Sequence, residues 1–176
     1  MAQAKTSQSE FDAKIAVATE IDFARLAAYI DGEGTIMIGR TKQKKGTKMP
    51  QFLLTVLVAN TDLRLIAWLS ATFCGLNYHA ANSNGSSGWG KKPCYSWRVF
   101  EKRAATILER VIPYLICKRE QAEVALAYRA LREQGSKGVK LTLTDIEKRN
   151  ELRNKVRALN GSKISDVDQE IKQWLT

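Results

Sequence analysis

A chain of 176 residues with 28 Lys and Arg against 18 Asp and Glu carries a formal net charge of +10 and has a pI near 9.7. It is long enough to bury one full core, and its natural partners are polyanions, nucleic acid first. Cys74, Cys94 and Cys117 are odd in number and match no zinc or disulfide spacing, no apolar run reaches a membrane span, and the N-terminus lacks an apolar signal core. These features exclude a secreted disulfide scaffold and a membrane protein, and point to an intracellular chain with reduced thiols, cytoplasmic, nucleoid or organellar.

In chain order, residues 1–20 show only a weak pattern and are predicted as a flexible extension, with at most a helical turn or two over 11–20. Asp22 is the predicted N-cap of a helix in which Phe23, Leu26, Ala27 and Ile30 recur at helical spacing. Gly32 and Gly34 stop it, and a strand follows from Thr35 through Ile38 and Arg40. Asp31 and Glu33 thus sit where an apolar helix ends and a strand begins. The run from Arg40 to Lys48 holds five cations and no acid, which suits a loop laid along phosphates.

A second strand covers 51–58, a helix Leu63–Phe73, a third strand 75–80, a long polar turn 82–93 and a fourth strand 95–99. A helix over 104–112 is closed by Pro113, and another runs Arg119–Gln134. Thr144-Asp145-Ile146-Glu147 reads as a capping box opening a helix to Leu159, ended by Asn160-Gly161, with a short last helix over 165–175. The order is αββαββα with a helical tail, an α+β class with an antiparallel sheet. Residues 21–163 form the domain and 164–176 a C-terminal tail. No internal repeat is present, so the acidic pair occurs once.

Leu26-Ala27-Ala28-Tyr29-Ile30-Asp31-Gly32-Glu33-Gly34 resembles the LAGLIDADG motif of homing endonucleases. It keeps the motif's first two residues, its Ile-Asp, its second acidic position as Glu and its last Gly; Ala28 for the usual Gly and Tyr29 for Leu are departures. Ile112-Pro113-Tyr114-Leu115-Ile116-Cys117-Lys118-Arg119-Glu120-Gln121-Ala122 and the stretch 156–163 are similar to further segments of that family, so the resemblance covers roughly residues 22–163. It implies the αββαββα fold with a saddle-shaped sheet, and a homodimer, because single-motif members pair their motif helices. In that case Leu26, Ala27, Ala28, Ile30 and Asp31 form the dimer interface, Asp31 capping or bridging the helix pair.

The resemblance further implies that Glu33 binds metal, with the Gly32 carbonyl as an added ligand, and that Lys118 is the basic residue near the cut phosphate. Mg²⁺ is the expected cofactor, with Mn²⁺ as a substitute and Ca²⁺ binding without cutting; no small-molecule cofactor is expected. Some members carry a solvent-organising glutamine at the end of the second strand; here Val58 or Ala59 falls there, and either Asn60, the nearest polar side chain, is the catalytic stand-in, or the solvent chain differs, or activity is weak.

Alternate side chains of such a sheet reach bases in the major groove of double-stranded DNA. The predicted DNA face holds Met37, Gly39, Thr41 and Gln43 on the first strand, Gln51, Leu53, Thr55 and Leu57 on the second, and His79 and Ser83 on or after the third. The fourth strand leaves two registers open: alignment favours Tyr95 and Trp97, charge favours Ser96 and Arg98. Arg40, Lys42, Lys44, Lys45 and Lys48, with Lys91 and Lys92, are expected on phosphates. The expected activity is site-specific double-strand cleavage of a long, roughly palindromic target, with a non-cleaving nucleic-acid binder on the same fold as the alternative.

Overall fold

The computed structural model describes residues 6–41, 51–80, 93–134 and 142–161. Four strands, β1 (Gly34–Thr41), β2 (Gln51–Asn60), β3 (Leu76–Ala80) and β4 (Cys94–Phe100), form one antiparallel sheet in the order β1-β2-β4-β3. Strand alternation makes one face apolar: Ile36, Ile38, Phe52, Leu54, Val56, Val58, Trp97 and Val99 are buried there. The opposite face carries Met37, Leu53, Leu57 and Arg98, each only partly covered. Thr55 and Ser96 share that open face by register yet are buried, because each lies on an inner strand between neighbours on both sides.

Six helices accompany the sheet in the described residues: α1 (Gln8–Val17), α2 (Glu20–Glu33), α3 (Leu63–Phe73), α4 (Glu101–Val111), α5 (Arg119–Gln134) and α6 (Leu143–Leu159), with a 3₁₀ turn at Ile112–Tyr114. Phe23, Leu26 and Ile30 of α2, Ile66, Leu69 and Phe73 of α3, and Ala104, Ile107, Leu108 and Val111 of α4 bury their apolar stripes in the same core as the sheet's apolar face. α5 and α6 pack on each other and flank β1. Asn160, just past α6, donates from Nδ2 to the Ile36 carbonyl at 2.9 Å, so the outer edge of β1 is partly covered. Where β4 stops short of Leu54, Glu101 accepts that residue's N–H at 3.2 Å and pairs with Arg129 at 3.2 Å and Arg132 at 2.5 Å, tying β2, α4 and α5 together.

Several expectations need correction. The N-terminal segment is not a flexible extension from residue 8 on. Ser7 caps α1, Phe11 and Ile15 are buried one turn apart, and Lys14 donates to the Ala71 carbonyl at 2.5 Å. Burying Phe11 alone contributes about 2 kcal/mol, enough to hold a short helix whose periodicity is otherwise too weak to announce it.

α2 begins before Asp22. Thr19 is the N-cap and Asp22 the third helical residue of a capping box, its carboxyl held below the usual range by hydrogen bonds from Thr19. α6 opens in the same way on Thr142 and Asp145, not on Thr144 and Glu147. Both frames read Thr-x-x-acid, and the earlier one adds a turn bonded by Ile146 N–H to the Thr142 carbonyl at 3.2 Å. The last helix and the tail over 164–176 lie outside the described residues.

Trp97 decides the fourth strand. It is fully buried, its indole N–H donates to the Cys74 carbonyl, and its ring meets Phe73. Gly75, at φ +103, permits this approach: a Cβ there would sit 2.9 Å from the Arg98 carbonyl oxygen and against the indole. Ser96 and Arg98 therefore take the open face, while Tyr95 and Trp97 face the helices. Because His79 pairs with Tyr95, it too lies on the helix side, its ring 5.0 Å from that of Tyr95. Of the two registers left open for the fourth strand, the one with Ser96 and Arg98 outward is realised, so Tyr95 and Trp97 leave the predicted DNA face; the predicted placement of His79 there is off by one residue, which in a strand reverses the face.

Candidate active site

The site is built on the junction between α2 and β1. β1 starts one residue after the helix ends, and only glycine fits at position 34: a Cβ would lie 2.6 Å from Ile30 Cα and 2.8 Å from its carbonyl oxygen. The sharp exit leaves Gly32 and Glu33 exposed on the last helical turn.

Two acidic residues take different roles there. The half-buried Asp31 turns back into the subunit, one oxygen accepting the Ile116 N–H at 2.7 Å and the other the Lys118 N–H at 2.9 Å. It fixes the segment between the 3₁₀ turn and α5 onto the end of α2. Glu33 stays at the surface and accepts from Asn60 Nδ2 in a short contact. Asn60 is itself held, since its Oδ1 accepts the Asp62 N–H at 2.7 Å. Asp62 caps α3 and pairs with Arg64 at 2.6 Å, and those hydrogen bonds bring its carboxyl down to about 2. Lys118 donates from Nζ to the carbonyls of Ile30 and Asp31, both at 2.7 Å, placing a cation at the negative end of the α2 dipole.

Glu33 and Asn60 are therefore in direct contact, with Lys118 on the same helix end. Next to them a groove of about 650 Å³ runs between β1 and the α5–α6 pair, lined by Thr35, Met37, Lys118, Gln121, Arg153 and Arg157. Arg153 and Arg157 are absent from the predicted site, although their spacing of four on one helix face is a legible signal. The chemistry on offer is one exposed carboxylate, an amide that orients it, and cations suited to phosphate.

Of the five residues expected between subunits, Leu26, Ala27 and Ile30 are fully buried inside this one, and Asp31 is engaged as described. Ala28 is exposed, in a stripe with Ile21, Arg25, Tyr29 and Gly32. On the open face, Met37 and Gly39 of β1 stand opposite Thr55 and Leu53 of β2, as the predicted parity requires, the Thr41 backbone pairs with Gln51, and Arg98 joins from β4. Arg40 is opposite Phe52, on the other parity. Lys42, Gln43, Lys44, Lys45, Lys48, Ser83, Lys91 and Lys92 lie outside the described residues.

No protein-family model matches the chain, and no curated protein matches it in sequence. Solved structures do. The homing endonuclease I-CvuI, in complex with the I-CreI target in the presence of Mg with the DNA not cleaved, aligns over 89% of this chain and 93% of its own at 20% identity, with a TM-score of 0.68. The archaeal intron-encoded homing endonuclease I-Vdi141I, complexed with DNA, aligns over 88% of this chain and 97% of its own at 12% identity and a TM-score of 0.69. The I-SmaMI LAGLIDADG homing endonuclease bound to cleaved DNA aligns over 89% of this chain but 48% of its own, at 21% identity and a TM-score of 0.63. The chain has the LAGLIDADG homing endonuclease fold. In that fold this chain spans nearly all of I-CvuI and about half of I-SmaMI.

A divalent cation fits the donors present. Glu33 offers carboxylate oxygen, Gly32 a backbone carbonyl at an exposed helix end, and no thiol or imidazole belongs to this cluster, which is the donor set of Mg²⁺ or Ca²⁺. Among the described residues no group of three or more His, Cys, Asp and Glu comes together.

Proposed function

We propose that two copies of this chain form a site-specific, Mg²⁺-dependent endonuclease that cuts both strands of a DNA duplex. The observation that carries the reading is the exposed Glu33 carboxylate, oriented by Asn60 at the inner end of a sheet whose other face is open. A cation held there would act as Lewis acid and water activator on a phosphodiester. Glu33 binds it, Asn60 keeps the carboxylate turned outward, and Lys118 brings positive charge next to the phosphate where negative charge develops.

Each subunit has one such carboxylate, and cutting two strands takes two. The exposed stripe of α2, with Ala28 and Gly32 and no atom within 4 Å of a Cβ at Gly32, admits a second helix at close range. The 48% span of I-SmaMI supports a unit that does half the work of a longer chain. DNA would lie along the open face, drawn by the +10 net charge and by Lys118, Arg153 and Arg157 in the adjoining groove. Symmetry of the pair implies a long, roughly palindromic target.

Selection from a randomised duplex library, in Mg²⁺ for cutting and in Ca²⁺ for binding, tests this. A selected site cut in Mg²⁺ by the wild type and bound but uncut by Glu33→Gln is expected. Equal cutting by that variant refutes the role of Glu33, and binding with no cutting in Mg²⁺ makes the chain a non-cleaving DNA binder.

A further inference from the structure

β4 is an inner strand, and its open face presents Ser96 and Arg98. Arg98 stands opposite Leu57 on one side and Leu76 on the other. Its guanidinium lies over the Tyr78 ring, 4.5 Å from the centroid, and its Nε donates to Ser96 Oγ at 3.3 Å. The ring and the hydroxyl together restrain the guanidinium, and with Nε bonded to Ser96 its two terminal nitrogens are the donors left for a ligand. Among the described residues of open-face parity, Arg98 is the one charged side chain; Leu57 and Leu76 on either side of it offer only apolar contact.

A planar fork with two parallel donors matches the O6 and N7 acceptors of guanine; adenine and cytosine each present a donor on that edge, and thymine one acceptor and a methyl group. We propose that Arg98, pre-set by Tyr78 and Ser96, reads a guanine in each half of the DNA site and is its main specificity determinant among the described residues. The inference rests on the reading of this chain as a DNA-binding endonuclease. A phosphate contact is disfavoured by position: the backbone of a groove-bound duplex passes the rims of a sheet, whereas Arg98 is on an inner strand between leucines. Leu57 is three residues from Asn60 along β2, roughly 10 Å, so the guanine falls toward the centre of the site, not at its outer ends.

The test is selection of bound duplexes in Ca²⁺ with wild type, Arg98→Ala, Arg98→Lys and Tyr78→Leu, followed by titrations against the selected site and its single-base variants over a range of salt. Wild type should enrich guanine at one symmetric pair of positions and lose roughly 10- to 100-fold in affinity per half-site when it is replaced. Arg98→Ala should lose that preference while keeping all others, and Arg98→Lys should keep it only in weakened form, because an ammonium lacks the rigid fork. Tyr78→Leu should weaken it in part. Lysine keeps the charge and stem, so its result does not depend on the alanine variant folding. If both Arg98 variants keep the full guanine preference, or weaken all sequences alike with a shallower salt slope, the base-reading role is overturned while the endonuclease reading stands. If wild type enriches no sequence, the reading beneath it falls as well.

Discussion

Replacing Asp31 separates a structural carboxylate from the one proposed to bind metal. Its two oxygens hold two backbone N–H groups, of Ile116 at 2.7 Å and Lys118 at 2.9 Å. Each such bond to a charged acceptor contributes about 1.5–3 kcal/mol when buried. The Ile116 contact is exposed, so water replaces it at little cost, while the Lys118 contact is partly buried and its loss leaves a donor short of a partner. Asp31→Ala should therefore destabilise the subunit by about 2 kcal/mol, and Asp31→Asn, which keeps one acceptor, by about 1 kcal/mol. Urea unfolding at fixed protein concentration reads this as a lower midpoint with unchanged slope. Cutting should fall in both variants because Lys118 loses its backbone anchor, yet Ca²⁺ affinity at Glu33 should fall less than in Glu33→Gln. A loss below about 0.5 kcal/mol for Asp31→Ala would show that this carboxylate does not hold the helix end, and the division of roles would collapse.

Phe11→Ala should cost about 3–4 kcal/mol in the same unfolding assay, since the ring is fully buried, and a near-neutral result would make α1 dispensable. Gly75→Ala should cost more than about 1 kcal/mol because φ is +103 and the added methyl meets the Trp97 indole; an unchanged midpoint would contradict the packing. Gly32→Ala meets no atom of its own subunit and improves helix propensity by up to about 1 kcal/mol, so the subunit should be no less stable while light scattering shows a weaker dimer. In acid, Asp22 and Asp145 have folded-state carboxyls below 3.8, held there by Thr19 and Thr142, so their stabilisation is full above that value and fades as pH falls through the folded values. Asp62 protonates near 2, and Asp62→Asn should flatten the fall in stability below 3.8.

What could be read from the residues was set by how much of each element's pattern depends on partners distant in sequence. The faces of β1 and β2 were legible, although β2 runs to Asn60 and not to Val58, because Phe52 and Val56 leave the second strand only one sensible face. β4 was not, because Tyr95, Trp97 and Val99 compete with Ser96 and Arg98 for either face; the indole bond to Cys74, 23 residues away, decides it. His79 went with it, since a short edge strand has no pattern of its own. The family resemblance pointed to Glu33, Asn60 and Lys118, which the structure brings together at the end of α2, whereas the hydrogen bonds of Asp31 to a loop 85 residues on were not legible.

The stripe of small residues on α2 shows why helix faces are harder to assign than helix ends. Ala24, Ala27 and Ala28 suggest a thin face, but a helix against a sheet buries its apolar side first, and Leu26, Ala27 and Ile30 are consumed there. Ala28 and Gly32, one turn apart, remain outward with Ile21, Arg25 and Tyr29. Gly32 is adjacent to Glu33, so any helix approaching that stripe from a second subunit also sets the distance between the two carboxylates. Dimer geometry and catalytic geometry are then one variable. A substitution on the stripe that loosens the pair should lower cutting in proportion, and one that cuts normally as a dimer with displaced helices would break the link between them.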